Sequence, residues 1–588
     1  MSETHDKSVP ADRSSRFARK FHWIVFVVFL LNVLLVAPAF FPAMGDINPW
    51  DDATYINSGQ DLVHGIIPMF TMNPLVAGMY ALTYLPVHAS PYWLIHSCSL
   101  ARMMAFSLIW LSAYLVAVQL TELATPFIIV ALLVISPVLV RLLDNGSNEL
   151  FTAMAGFTLW QFLLFLRTRN VKHLWLTSLF LGLAALSRNE GPILFLIYLC
   201  LTIVACVRWG ILRKGLVAYV IPFTMLVGGY VFLYGLRTGH YELGNKARSY
   251  LAFEQGQGMA YVELYATKAH YVEGGLEAQR LYGTAEENHY SVITAIRRNP
   301  SAYIRRTVHL AKHAVQDTAY EYGQYFGLLC FAFALRGVLE LVRRKSFMLL
   351  ATLLLSSGYG VLYVLLCYQS THLLMPFLTL FTLAAVGVSA MLLNSEGQRE
   401  RYLWTTILLA IAAIAAVKCT TPNMLGATLA ILLGLWIVWL VADFYHGVGN
   451  RVVVAHLLLL LVALLVRFEF PYAKTRVLGS APDEQAALFL RDHFKPDTHV
   501  GAWAPGTIWL AKMSHVEMGG ALRSMKSGQD LADWMGSNDV AAIYVDQSLR
   551  QYESDLWGLV RDQIGKELKV AFTDDQNEVE LLVPVDKH

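Results

Sequence analysis

The sequence predicts a polytopic α-helical membrane protein of about thirteen spans, closed by a small C-terminal α/β domain outside the membrane. Three observations carry that expectation. Of 588 residues, 56% are hydrophobic and 15% charged, against about a quarter charged in soluble domains, and mean hydropathy is +0.48. Apolar runs of a length that crosses a ~30 Å hydrocarbon core recur along the chain. The basic residues between them gather in every second connection, the pattern that marks cytoplasmic loops.

In chain order, residues 1–20 form a polar cytoplasmic tail ending in Arg16, Arg19 and Lys20. The run 21–41 reads as the first span, since it is too long for a signal peptide and no small-residue cleavage site precedes Gly45. Further runs lie near 95–119, 126–143, 149–166, 173–187, 191–207, 215–236, 322–342, 347–367, 373–393, 402–418, 424–443 and 452–468. Arg167, Arg169 and Lys172 share one connection, Arg208, Arg213 and Lys214 another, and Arg343, Arg344 and Lys345 a third; Arg399, Arg401 and Arg451 continue the series. A cytoplasmic N-terminus and an odd number of spans then place the C-terminal domain outside.

The transmembrane domain, 21–468, thus carries two long outer loops, 42–94 and 237–321, and is followed by an extracytoplasmic domain, 469–588. Loops of this length are usually functional. The first reads as a pair of helices at the membrane surface, opening at Asp51. The C-terminal domain mixes helix-like runs (EQAALFLRDHF, DLWGLVRDQI) with strand-like ones (THVGAWA, VAAIYVD, VELLVPV), which predicts a small α/β unit. From residue 471 it holds 12 Lys/Arg against 18 Asp/Glu, a net of 12 − 18 = −6, so no affinity for anionic lipid is expected of it. The whole-chain charge of +2 argues against a nucleic-acid partner. The six cysteines, Cys98, Cys200, Cys206, Cys330, Cys367 and Cys419, lack metal-site spacing and read as apolar packing residues.

Carboxylates are costly within a bilayer, so acidic residues at the outer ends of spans are the first candidates for chemistry. Asp51 and Asp52 open the first outer helix, Asp144 and Glu149 flank the connection between the third and fourth spans, and Glu190 follows Arg188 between the fifth and sixth. All three places share the outer face and could line one cavity. Structural readings stand beside each: Asp51 as an N-cap with Asp52 favoured by the helix dipole, and Arg188–Glu190 as an interfacial ion pair. The second outer loop ends in Arg297, Arg298, Arg305, Arg306, Lys312 and His313, interleaved with Tyr290, Tyr303, Tyr320 and Tyr322. That stretch is either a helix snorkelling at the interface or a phosphate clamp, which arginine suits through bidentate bonding. His372, at the outer end of the tenth span, has a structural reading or a role in the site.

These residues resemble the motifs of GT-C fold glycosyltransferases, in particular the branch near lipid A aminoarabinose transferase and the protein O-mannosyltransferases. That family carries an acidic pair two residues before a tyrosine just after the first span; here Asp51 and Asp52 precede Tyr55, followed by Leu62 to Gly65 and by Asn73–Pro74. The family's acidic residue between the third and fourth spans is matched by Glu149 in SNELF, and its signature after the fifth span by Ser187, Arg188 and Glu190 in GLAALSRNEG. Its late Arg-Tyr-Leu-Leu-Pro signature is matched by His372 to Pro376, with histidine in place of the usual arginine. The resemblance implies a GT-C-like membrane domain in a bacterial inner membrane. It implies inverting transfer of a sugar from a polyprenyl-phosphate donor to a lipid, glycan or protein acceptor on the outer face. It further implies that Asp51, or else Asp52, is the general base. Tyr55, Asp144, Glu149, Arg188, Glu190, Arg305, Arg306 and His372 are the expected substrate contacts. No cofactor is expected: a divalent metal is an option that the absence of an Asp-x-Asp pair in the first outer loop does not favour.

The chemistry agrees with one base. A phosphate leaving group has a low pKa, so its departure needs charge stabilisation more than a general acid, and one carboxylate suffices where glycosidases need two. Two other classes compete. A transporter or flippase of a lipid-linked sugar would show internal repeats and charges near the membrane midplane, whereas here the charges sit at span ends. A non-catalytic membrane scaffold would have no need of the motif series.

Overall fold

The computed structural model describes residues 51–66, 74–89, 93–120, 146–239, 241, 243, 246–261, 268–324, 327–358, 364–365, 374–393, 483–503, 506–518, 525, 527–546, 549–550, 554–575 and 578–585. The expected spans at 21–41, 126–143, 402–418, 424–443 and 452–468 lie outside them.

The described part of the first long loop holds two helices, α1 (Asp51–Val63) and α2 (Pro74–Tyr84), packed on each other. Gly59 makes their approach close: a Cβ there would lie 2.7 Å from the Ala81 backbone nitrogen. A third helix, α3 (Trp93–Leu120), follows, tied to α2 by a 3.1 Å hydrogen bond between the Thr83 and Ser97 hydroxyls.

α4 (Ser147–Thr168) packs along α3. Ser112 faces Gly156, where an added Cβ would sit 2.3 Å from the serine Oγ, and farther along Val116 shares a cluster with Leu159 and Leu163. Residue numbers rise together on both helices, so α3 and α4 run parallel. That register sets Arg102, ten residues before Ser112, at the level of Gly146, ten before Gly156.

α5 (Val171–Ser187) begins where Asn170 caps the Lys172 N–H at 3.0 Å. It turns sharply into α6 (Gly191–Arg208), and α7 (Leu212–Phe223) follows. Pro222 lacks an N–H and crowds the preceding turn. The chain answers with a π-helical turn over Thr224–Gly228, and the Phe223 N–H donates to Ser178 Oγ of α5 at 3.0 Å. α8 (Gly229–Thr238) completes that helix. Among the described residues, four helices are long and apolar enough to span a membrane: His96–Leu120, Ser147–Thr168, Gly191–Arg208 and Leu212–Thr238, with shorter apolar helices at Val171–Ser187, Phe347–Ser357 and Leu378–Gly387.

The second long loop is mostly helical in its described part: α9 (Lys246–Tyr261), α10 (Lys268–Tyr282), α11 (Val292–Arg298) and α12 (Pro300–Gln324), with turns between α10 and α11. It has its own core of Tyr250, Phe253, Ala278, Tyr282, Ala295 and Ala302. α13 (Gly327–Arg343), α14 (Phe347–Gly358) and α15 (Leu374–Leu393) return to apolar sequence, with α13 and α15 in close contact along their length.

The C-terminal part is a five-stranded sheet in the order β2-β1-β3-β5-β4. Its strands are β1 (His499–Ala502), β2 (Ser514–Glu517), β3 (Val540–Val545), β4 (Leu568–Asp574) and β5 (Val579–Pro584). β1 pairs in parallel with β2 and β3, while β5 is antiparallel to β3 and β4. Helices α16 (Glu484–His493), α17 (Gly506–Leu510), α18 (Gly528–Ser537) and α19 (Ser554–Arg561) accompany the strands. Asp483 caps α16 through the Ala486 N–H, and Ser527 with Asp530 forms a capping box on α18. α17 packs on α3, which seats this unit on the membrane domain.

Candidate functional site

Three of the places singled out in the sequence meet at one corner. Tyr55 on α1 is buried and stacks on Tyr80 of α2, with ring centroids 6.0 Å apart and planes inclined by 26°. Tyr80 in turn abuts Gly146, immediately before α4. The glycine has φ +71°, and a Cβ there would lie 3.1 Å from Met79 and 3.3 Å from the Tyr80 hydroxyl. Left-handed backbone against an aromatic wall selects glycine at that point.

The first turn of α4 then presents Ser147, Asn148 and Glu149, all buried. Burying three polar side chains at a helix start is costly unless partners reach them. Arg188, from the end of α5, does so: one guanidinium nitrogen donates to Ser147 Oγ at 3.3 Å and to Asn148 Oδ1. The same guanidinium grips Glu190 two-pronged, Nε to Oε2 at 3.1 Å and Nη2 to Oε1 at 3.0 Å. The pair keeps 16% and 20% of its side-chain surface exposed, so the network is lined by protein and open at one side. Glu149, by contrast, is fully buried, in the first turn where a helix dipole favours negative charge.

The structure therefore brings together Tyr55, Glu149, Arg188 and Glu190. It separates the two arginines of the second outer loop. Arg306 is fully buried: it donates to the Phe253 carbonyl at 2.7 Å and to the Leu365 carbonyl at 3.5 Å, with its guanidinium 4.2 Å from the Phe253 ring centroid. Tyr303, one turn earlier, donates to the same Leu365 carbonyl at 3.0 Å. Arg305 is exposed. α12 packs principally on α9, α11 and α13. The side chains of Asp51 and Asp52, and the whole of Asp144 and His372, lie outside the described residues.

One residue of this corner went unremarked in the sequence reading. Arg102 is 2% exposed, and the α3–α4 register puts it level with Gly146–Glu149. The signal was present: an arginine inside the apolar run of SLARMMAF, ten residues into a spanning helix, is expensive without a purpose.

No protein-family model matches the sequence, and no curated protein matches it. Solved structures do match in fold. ArnT from Cupriavidus metallidurans bound to undecaprenyl phosphate superposes with a TM-score of 0.60 at 13% identity, over 96% of this chain and 98% of that one. The apo state of the same protein gives 0.58 at 12% identity over the same shares. The chain thus has the GT-C membrane fold that its motifs resemble.

Proposed function

We propose that this protein transfers a sugar from a polyprenyl-phosphate donor to an acceptor on the outer face of a bacterial inner membrane. The observation that carries the reading is the convergence of Tyr55, the Ser147–Glu149 turn and the Arg188–Glu190 pair at one corner, in a fold shared with a protein crystallised with undecaprenyl phosphate.

In the proposed reaction Asp51, one helical turn before Tyr55, takes a proton from the acceptor nucleophile, and Asp52 is the alternative base. The nucleophile bonds to the anomeric carbon as the bond from that carbon to the phosphate oxygen breaks. The electron pair leaves with polyprenyl phosphate, and a single displacement inverts the anomeric centre. Arg188, held rigid by four hydrogen bonds to Glu190, Ser147 and Asn148, is the cation for the developing phosphate charge. Asp144 and His372 remain proposed substrate contacts, Arg306 with Tyr303 holds the Phe253 and Leu365 carbonyls, and Arg305, exposed beside them, takes no part in the reaction as written. The reaction as written uses no metal.

The test is transfer itself. Purified protein is given polyprenyl-phosphate sugars, with envelope glycolipids and glycoproteins compared by mass spectrometry with and without the gene product. Asp51→Asn caps a helix about as well as Asp and cannot accept the proton. Its turnover should drop on the order of 10²-fold or more with folding retained. Asp52→Asn should be milder. If both variants keep full transfer, the one-base mechanism is wrong; if no sugar moves with the unaltered chain, the enzyme reading itself fails.

A further inference from the structure

The second outer loop carries a feature that sugar transfer does not use. Along α12, Ile304, Val308 and Val315 are 61%, 63% and 69% exposed. At ~100° per residue they and Ala311 fall within about 60° of arc, one stripe along three turns. On one flank of that stripe stand Arg305, His309 and Lys312, all exposed. The opposite face is the one that packs: Ala302, Arg306 and Leu310 are buried. Residues 300–316 contain no Asp or Glu. The preceding α11 repeats the pattern, with Ile293 64% exposed and Arg297 exposed.

Single exposed apolar residues need no explanation, but an apolar stripe flanked by cations on one side does. Water suits the cations but not the stripe, and hydrocarbon alone suits the stripe but not the cations. A bilayer surface supplies both in one layer, acyl chains just below phosphates. The chain also passes from the end of α12 into α13, whose sequence GLLCFAFALRGVLELVR is largely apolar. The acidic C-terminal domain offers carboxylates for the cations, but the large apolar side chains exposed among its described residues, Leu488, Val570 and Val585, are scattered over separate segments.

We propose that α12, with α11, lies in the outer surface of the bilayer, its stripe among the acyl chains and Arg305 and Lys312 on the phosphates of anionic lipid. The buried face of the same helix holds Arg306 and Tyr303 on the Phe253 and Leu365 carbonyls. The lipid surface therefore fixes the depth of the helices that α12 carries.

The test uses the full chain in nanodiscs, with the photoprobe p-benzoylphenylalanine in place of Val308 and, as a lipid-facing reference, in place of Val217 of α7, 52% exposed. Lipid adducts by mass spectrometry at position 308, comparable with those at 217, are expected. A peptide adduct from a second copy or from the C-terminal domain overturns the proposal, and so does absence of any adduct at 308 when 217 reacts. In mixed phosphatidylcholine and phosphatidylglycerol discs, Arg305→Gln with Lys312→Gln should lower the phosphatidylglycerol share of the adducts severalfold. An unchanged share overturns the anionic half. Both substitutions are on the surface, so the protein should fold.

Discussion

Among the described residues, the arginine–glutamate pairs Arg188–Glu190 and Arg336–Glu340 are built for different ends. Arg188–Glu190 joins three elements: the pair sits between α5 and α6 and reaches back to Ser147 and Asn148 on α4. Arg336–Glu340 lies along α13, at 3.1 Å and with 5% and 4% exposure, and Arg344, just past the helix end, donates to the same carboxylate at 2.7 Å. The first pair holds two helix ends in a fixed relation and keeps an open side. The second is local in sequence, with Arg336 and Glu340 buried and Arg344 reaching in from the helix end. Both place charge in apolar surroundings, yet only the first has a geometry that a substrate could read.

That contrast can be broken at its stronger end. Removing one partner of a buried pair costs about 3–5 kcal/mol, whereas replacing both by apolar residues is often neutral. Glu340→Ala should therefore lower thermal stability severely, and Arg336→Met with Glu340→Leu should recover most of the loss, read as melting temperature in detergent. A Glu340→Ala protein that melts normally but transfers no sugar would move α13 into the site and erase the distinction.

Arg188→Lys sharpens the other end. Lysine keeps the charge but loses the fork that serves Glu190 and α4 together. One or two charge-assisted hydrogen bonds at roughly 1.5–3 kcal/mol each imply at least a tenfold loss in kcat/KM for the donor. Stability should change little, because the site stays partly open. Asn148→Ala should give a smaller loss of the same kind, as it frees one side of the guanidinium. Loss of stability without loss of transfer in either variant would make this pair structural as well.

How far the sequence disclosed these features follows from physical scale. Charges within apolar runs are rare, so Glu149, Arg188 and Glu190 stood out, and the helices now seen at 147–168, 171–187 and 191–208 follow their apolar runs within two residues. Arg305 and Arg306 looked equivalent because composition carries no azimuth. A helix turns ~100° between neighbours, and one went to the interior while the other stayed outside. In the C-terminal sheet, β1, β3 and β5 were legible from apolar or β-branched runs. β2 (SHVE) is short and polar, and β4 exposes much of its length; both are strands by virtue of their neighbours, which a local pattern does not contain. The Tyr55–Tyr80 contact was equally hidden, since it joins two helices through a fit of shapes.

The smallest expected effect concerns a carboxylate that belongs to neither pair. Glu254 on α9 is buried, accepts a 3.2 Å hydrogen bond from Gln279 Nε2, and has no arginine in an ion pair with it among the described residues. Burial raises its pKa above the ordinary 4.5, and the Gln279 hydrogen bond opposes the rise only in part. A carboxyl raised on folding favours the native state in its protonated form. Its contribution is fully present below 4.5 and is lost as pH rises through the folded value. Glu254→Gln, which keeps an oxygen for Gln279, should therefore melt slightly higher than the unaltered protein at neutral pH. The gap should close as pH falls through the folded pKa toward 4.5, where both side chains are neutral. A gap of the opposite sign at neutral pH, or one that widens on acidification, would mean that Glu254 is held as an anion by a cation. It would then be a buried ion pair, to be set beside Arg188–Glu190 and Arg336–Glu340.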